Sequence, residues 1–215
     1  MTRRSTLFVF LLLASSFQPS HTSAKDKATC NTCPVSAVQS TASRPLASSD
    51  VTHGCTTQTK SGFPVPDPKC TPGAVNPTVT LAVLKNTSFG TGCIRNCATT
   101  ESDKNVTYSQ YGIPHPANNQ DATQVCELDH LVPLELGGAD TLDNIWPQCG
   151  PNQVPLAKRY FKEKDKVENY LADQVKTGKM NLEKAQTAIA ADWTQFLGEA
   201  QSFCSKNPKK CNGGE

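Results

Sequence analysis

The chain has 215 residues, 37% hydrophobic and 19% charged, with 21 Lys and Arg against 19 Asp and Glu. This length supports one domain with a real core and an appendage and excludes two large domains. The low charge fraction argues against a long charge-rich tail, and ten cysteines are unusual for a cytosolic chain of this size without metal clusters.

Arg3 and Arg4 precede an apolar run of eight residues, Leu7 to Ala14, and a polar stretch follows that ends in Thr22-Ser23-Ala24. This is the layout of a secretory signal peptide over residues 1–24, with cleavage after Ala24. The run is far shorter than the roughly 20 residues a bilayer-spanning helix needs. Loss of Arg3 and Arg4 takes the 21 basic residues to 19, equal to the 19 acidic ones. A neutral mature chain argues against a general polyanion binder, so contact with nucleic acid would have to come from local charge.

Residues 25–78 are rich in Ser, Thr, Pro and Gly and carry four of the cysteines. They are expected to form an irregular, disulfide-stapled arm. All ten cysteines lie beyond residue 24, and an even count in an exported chain points to as many as five disulfides. Zinc held by Cys30-x-x-Cys33 and Cys93-x3-Cys97 is the weaker alternative, because no second pair of matched spacing accompanies either one. Asn86-Thr-Ser and Asn105-Val-Thr are glycosylation sequons.

Residues 79–150 alternate short apolar runs with turn residues, the pattern of short strands and loops. Residues 155–203 are helical by period. Leu156, Tyr160, Val167 and Leu171 recur at helical spacing, with Pro155 at the start and Gly178 at the stop. Asn181 is placed to cap a second helix, with Leu182, Ala185, Ile189, Trp193, Phe196 and Leu197 as its buried stripe.

The segment Glu127 to Gln148, ELDHLVPLELGGADTLDNIWPQ, carries the chemistry. Asp129 and His130 are adjacent and precede an apolar stretch closed by Gly137-Gly138. In an extended segment their side chains point to opposite sides, so both reach one metal site only if the backbone bends there. A hairpin with the glycine pair near its loop would return Asn144 beside them, and Cys126 and Cys149 bracket the unit and could clamp it. Between Asn105 and Ala157 there are six acidic residues and no Lys or Arg, whereas Lys158 to Lys184 holds eight basic and five acidic residues.

Taken together, D-H-x-x-P-L-x-L-G-G followed by N-x-W-P-Q resembles the HNH, or ββα-metal (His-Me finger), endonucleases. It is most similar to a group of small, often exported proteins with D-H-L-[IV]-P-L-E-L-G-G, N-[LI]-W-P-Q and K-D-x-[LV]-E. Here these are Asp129 to Gly138, Asn144 to Gln148, and Lys164 to Glu168. CTPGA (Cys70 to Ala74) and AQTAIAADW (Ala185 to Trp193) also resemble that group, so the likeness spans about residues 70–197.

The resemblance implies an α+β fold: a ββα-metal finger of short β-hairpin plus helix, extended by a C-terminal helical pair, within a nuclease domain over 79–215. It implies a secreted nuclease that hydrolyses phosphodiester bonds of DNA or RNA. His130 would be the general base, Asn144 the hairpin asparagine, and Asp129 a metal ligand. The cofactor would be a divalent metal, magnesium first, with manganese, calcium or zinc as alternatives. The family's helix ligand is not matched by a histidine; ordinary spacing points to Asn152, and the K-D-x-x-E motif to Asp165 or Glu168. Lys158, Arg159, Lys162 and Lys166 are candidates for phosphate contacts along the helix, and a solvated helix face is the competing account. The alternative function is a catalytically inactive secreted binding or effector protein on the same scaffold.

Overall fold

The computed structural model describes residues 54–95 and 104–211. The expected signal peptide, Cys30, Cys33, Cys97 and residues 25–53 of the arm lie outside the described residues.

The fold is mixed α+β, with two small antiparallel hairpins and several helices. The first hairpin pairs β1 (Gln58–Lys60) with β2 (Phe63–Val65). It turns at Ser61-Gly62, both in left-handed backbone (φ 50° and 83°), which glycine adopts without cost. Two short helices follow, α1 (Leu81–Leu84) and α2 (Val106–Gln110). The second hairpin pairs β3 (Cys126–His130) with β4 (Ile145–Cys149), in a register that sets Cys126 opposite Cys149 and Asp129 opposite Trp146. The C-terminal part is helical: α3 (Tyr160–Lys176), α4 (Leu182–Asp192), α5 (Leu197–Lys206) and α6 (Pro208–Cys211).

The long helix α3 is the spine, packed against both the β3–β4 hairpin and α5. It starts five residues later than Pro155 suggests, because Leu156–Lys158 forms a separate 3-10 turn and Arg159 is extended. Leu156 and Tyr160, expected in the core, are only partly buried. The face that α3 buries runs through Phe161, Lys164, Val167, Glu168, Leu171 and Val175. The four apolar members are wholly buried, each stabilising by about 1.5–3 kcal/mol relative to exposure. A lysine and a glutamate occupy positions that an apolar pattern would assign to hydrophobic residues.

The second helix keeps its expected cap and half of its expected stripe. It ends at Asp192, Trp193 and Phe196 fall in a 3-10 turn, and Leu197 opens α5. Leu182, Phe196 and Leu197 are only partly buried, because the chain turns away from one helical face there. The Asn181 side chain accepts from the Lys184 backbone N–H at 3.1 Å, and Ala185, Ile189 and Trp193 are fully buried. The composition boundary at residue 78 does not mark an edge of the core. Val65 lies within the main cluster, Phe63 packs edge-on against Trp193 at 5.4 Å, and the Trp193 indole donates to the Pro64 carbonyl.

Three disulfides join described residues: Cys55–Cys70, Cys126–Cys149 and Cys204–Cys211. Cys93 is also disulfide-bonded, which removes its sulfur as a thiolate ligand for zinc. These bonds fit an oxidising environment. No helix among the described residues is long and apolar enough to cross a membrane.

Candidate functional site

Along β3 the side chains alternate. Glu127 and Asp129 lie on one face, and Cys126, Leu128 and His130 on the other. The strand stays in register with β4 through His130, so the backbone bend that would turn Asp129 and His130 onto one point is absent. The two neighbours lead into different networks.

His130 Nε2 lies 2.8 Å from Asp140 Oδ1, and Lys104 Nζ lies 2.6 Å from the same oxygen. All three side chains are almost wholly buried. Burial alone would raise the pKa of Asp140, but the hydrogen bond with His130 and the charge of Lys104 outweigh it and hold the carboxyl well below its usual range. An ionised carboxylate only accepts, so Nε2–H of His130 donates. In the neutral ring Nδ1 is then the basic nitrogen.

The loop between β3 and β4 brings Asp140 under His130, and Asn144 holds that loop. Its side chain is fully buried. Its Oδ1 accepts from Val132 N at 2.9 Å, and its Nδ2 donates to Val132 O at 2.9 Å and Ala139 O at 2.8 Å. This close wrapping explains the glycine pair. Gly137 sits at φ +77°, and a Cβ on Gly138 would stand 1.8 Å from the Val132 carbonyl oxygen. Cys126 and Cys149 close the open end of the hairpin with a disulfide, their Cα atoms 4.0 Å apart.

On the other face, Asp129 meets α3. Its carboxylate accepts from the Trp146 indole at 3.1 Å and pairs with Lys164 Nζ at 2.9 Å. Lys164, fully buried, also donates to the His130 carbonyl at 2.7 Å and pairs with Glu168. Burial works against the lysine's charge, but Asp129 and Glu168 outweigh it and raise its pKa above the ordinary value. Burial pushes Asp129 up, against the pull of Lys164. Lys164 and Glu168 of the K-D-x-V-E motif therefore form a buried ionic clasp between helix and hairpin.

Asp165 points to the neighbouring cluster. It accepts from Lys162 Nζ at 2.8 Å, and Lys162 reaches Glu127 at 3.4 Å. Burial, then the charges of Asp165 and Asp129, raise the Glu127 pKa to about 7 against the opposing charge of Lys162. Asn152 is exposed in the turn before α3. Among the described residues, no group of three His, Cys, Asp or Glu is placed to hold a metal ion.

His130 opens onto a groove of about 570 Å³, with Glu127, Lys162, His115 and Arg95 also on its walls. The four candidate phosphate contacts do not share it. Lys162 lines the groove, drawn toward Glu127. Lys158 and Lys166 border a different groove of about 440 Å³ beside Cys204 and Cys211. Arg159 is buried, with Nη2 donating to the Ala122 carbonyl, because it precedes the helix in extended backbone and turns inward.

Motif reading did not single out Asp140, Lys104, Arg95 or His115. Asp140 had a local signal, since it follows Gly137-Gly138-Ala139 in the stretch between the two hairpin motifs. The others are remote in sequence and converge only through the fold. No protein-family model, curated protein or solved structure matches this chain.

Proposed function

We propose that the protein is an exported phosphodiesterase acting on nucleic acid, with β3, β4 and α3 as a ββα finger and His130 as general base. The observation that carries this reading is the His130–Asp140 hydrogen bond on the wall of a groove that also presents Arg95 and Lys162. Asp140 holds the ring in one orientation and stabilises the imidazolium formed when His130 takes a proton from the attacking hydroxyl. Lys162 and Arg95 offset the charge of the phosphate. Asn144 acts by positioning, since it holds the loop that carries Asp140.

The resemblance adds a divalent cation on Asp129, whose chemistry would be charge stabilisation at phosphorus and the leaving oxygen. The residues do not fit this as arranged. Asp129 is already neutralised by Lys164, and a magnesium with oxygens at about 2.0–2.1 Å would stand against that ammonium. No step here is routed through the cation. The same ion pair favours the second reading, a secreted binding or effector protein without catalysis.

One assay separates these readings. The full-length protein, exported with its disulfides formed, is incubated with labelled RNA and DNA in magnesium, in manganese and in EDTA. The phosphodiesterase reading expects cleavage that His130→Ala lowers roughly 10²–10⁴-fold without unfolding the protein. Cleavage only with added metal would restore the cation to Asp129. Binding without cleavage would establish the second reading.

A further inference from the structure

Resting on the phosphodiesterase reading, we infer that the substrate of the His130 groove is RNA and that His115 is the second catalytic residue, the acid that protonates the leaving 5′ oxygen. Two imidazoles from separate parts of the chain line this one groove. His130 comes from β3 and is held from behind by Asp140. His115 comes from the segment after α2 and is exposed. Its ring rests edge-on against Tyr108 at 4.7 Å and 72°. Tyr108 is only 3% exposed, so it gives the His115 ring a fixed platform while leaving the ring solvent-facing. Arg95 and Lys162 lie on the same walls.

This equipment matches the needs of RNA. RNA carries its own nucleophile, the 2′ hydroxyl beside each phosphate, and that group is what tells it from DNA. Cleavage then needs one base and one acid, with cations for the phosphate. His130 takes the 2′-OH proton, and the 2′ oxygen forms a bond to phosphorus. The bond from phosphorus to the 5′ oxygen breaks, and the imidazolium of His115 gives that oxygen its proton. The products are a 2′,3′-cyclic phosphate and a 5′ hydroxyl. No water or oxidant is consumed, and proton exchange with solvent resets both rings. DNA lacks the 2′ hydroxyl and would require an activated water, for which Asp129, clasped by Lys164 and Trp146, offers no cation.

The test uses the full-length exported protein in EDTA. Substrates are an RNA oligonucleotide, the DNA of the same sequence, a fully 2′-O-methylated RNA, and uridine 3′-(4-nitrophenyl phosphate), whose leaving group departs without a proton. The expected result is cleavage of RNA to 2′,3′-cyclic ends, with the DNA and the methylated RNA intact. His115→Ala should lower RNA cleavage by roughly 10²–10⁴-fold, and the loss should shrink below about tenfold on the nitrophenyl ester, where no general acid is needed. His130→Ala should lose both substrates. DNA cut as fast as RNA overturns the inference and leaves the phosphodiesterase reading standing. A His115→Ala loss equal on both substrates, or absent from both, removes His115 as the acid. No cleavage of any nucleic acid, with or without metal, defeats the phosphodiesterase reading itself.

Discussion

Asn144→Asp keeps the shape of the side chain and reverses its hydrogen bonding. One oxygen still accepts from Val132 N, but the other replaces the amide nitrogen that donates to Val132 O and Ala139 O at 2.9 and 2.8 Å. Two donated bonds are lost, at about 1 kcal/mol each. A carboxylate is also placed against two carbonyl oxygens at a site with no solvent exposure. Protonation restores one donor, so the folded state favours the neutral acid and its pKa rises above the unfolded value of about 3.9. The cost is therefore smaller at low pH and grows as pH rises through the folded pKa. We expect a loss of about 1–2 kcal/mol at pH 4 and about 3–5 kcal/mol at pH 7.5, read from urea unfolding at both pH values against the parent chain. A loss below about 1 kcal/mol at pH 7.5, or one that does not grow with pH, would refute the claim that this amide holds the loop carrying Asp140.

Gly138→Ala should largely abolish folding, because its Cβ would stand 1.8 Å from a backbone oxygen of Val132 that cannot swing away; a soluble variant with parent-like circular dichroism would contradict this. Lys164→Met should destabilise by about 3–5 kcal/mol, since it leaves Asp129 and Glu168 buried without their cation, and the loss should ease toward low pH as both carboxyls protonate; thermal unfolding across pH measures it. Glu127, raised from 4.5 to about 7, keeps its proton in the folded protein where the unfolded chain has released it. Its contribution is therefore complete below pH 4.5 and is lost as pH rises through 7. Glu127→Gln should remove a fall of about 2–3 kcal/mol over that range, a difference visible in paired urea titrations. Cys126→Ser with Cys149→Ser should cost about 3 kcal/mol for a closed loop of this length, measured by denaturant midpoint under non-reducing conditions.

Local rules made a good part of the fold legible. Asn181 capping and the stripe of Ala185, Ile189 and Trp193 followed from side-chain chemistry at helical spacing. So did the hairpin, whose glycine pair and returning asparagine lie within twenty residues of each other and answer to the same tight turn. The cysteines flanking it could meet because antiparallel pairing brings the two ends of a hairpin together.

The partners of the two adjacent residues Asp129 and His130 were decided elsewhere. Alternation along a strand says only that they face opposite ways; what waits on each side depends on where α3 and the segment around Lys104 dock. Lys164 stands in sequence only as the first residue of the K-D-x-V-E motif, and only the packing of α3 onto the hairpin makes it a buried counter-ion for Asp129. Asp140 becomes the partner of His130, and His115 its neighbour across a groove, because loops without periodic pattern are placed by the core they cover. Sequence singled out Asp129, His130 and Asn144 but not Asp140 or His115; tertiary structure decided which carboxylate each cation and each imidazole meets, since those distances are set by packing between segments remote in the chain.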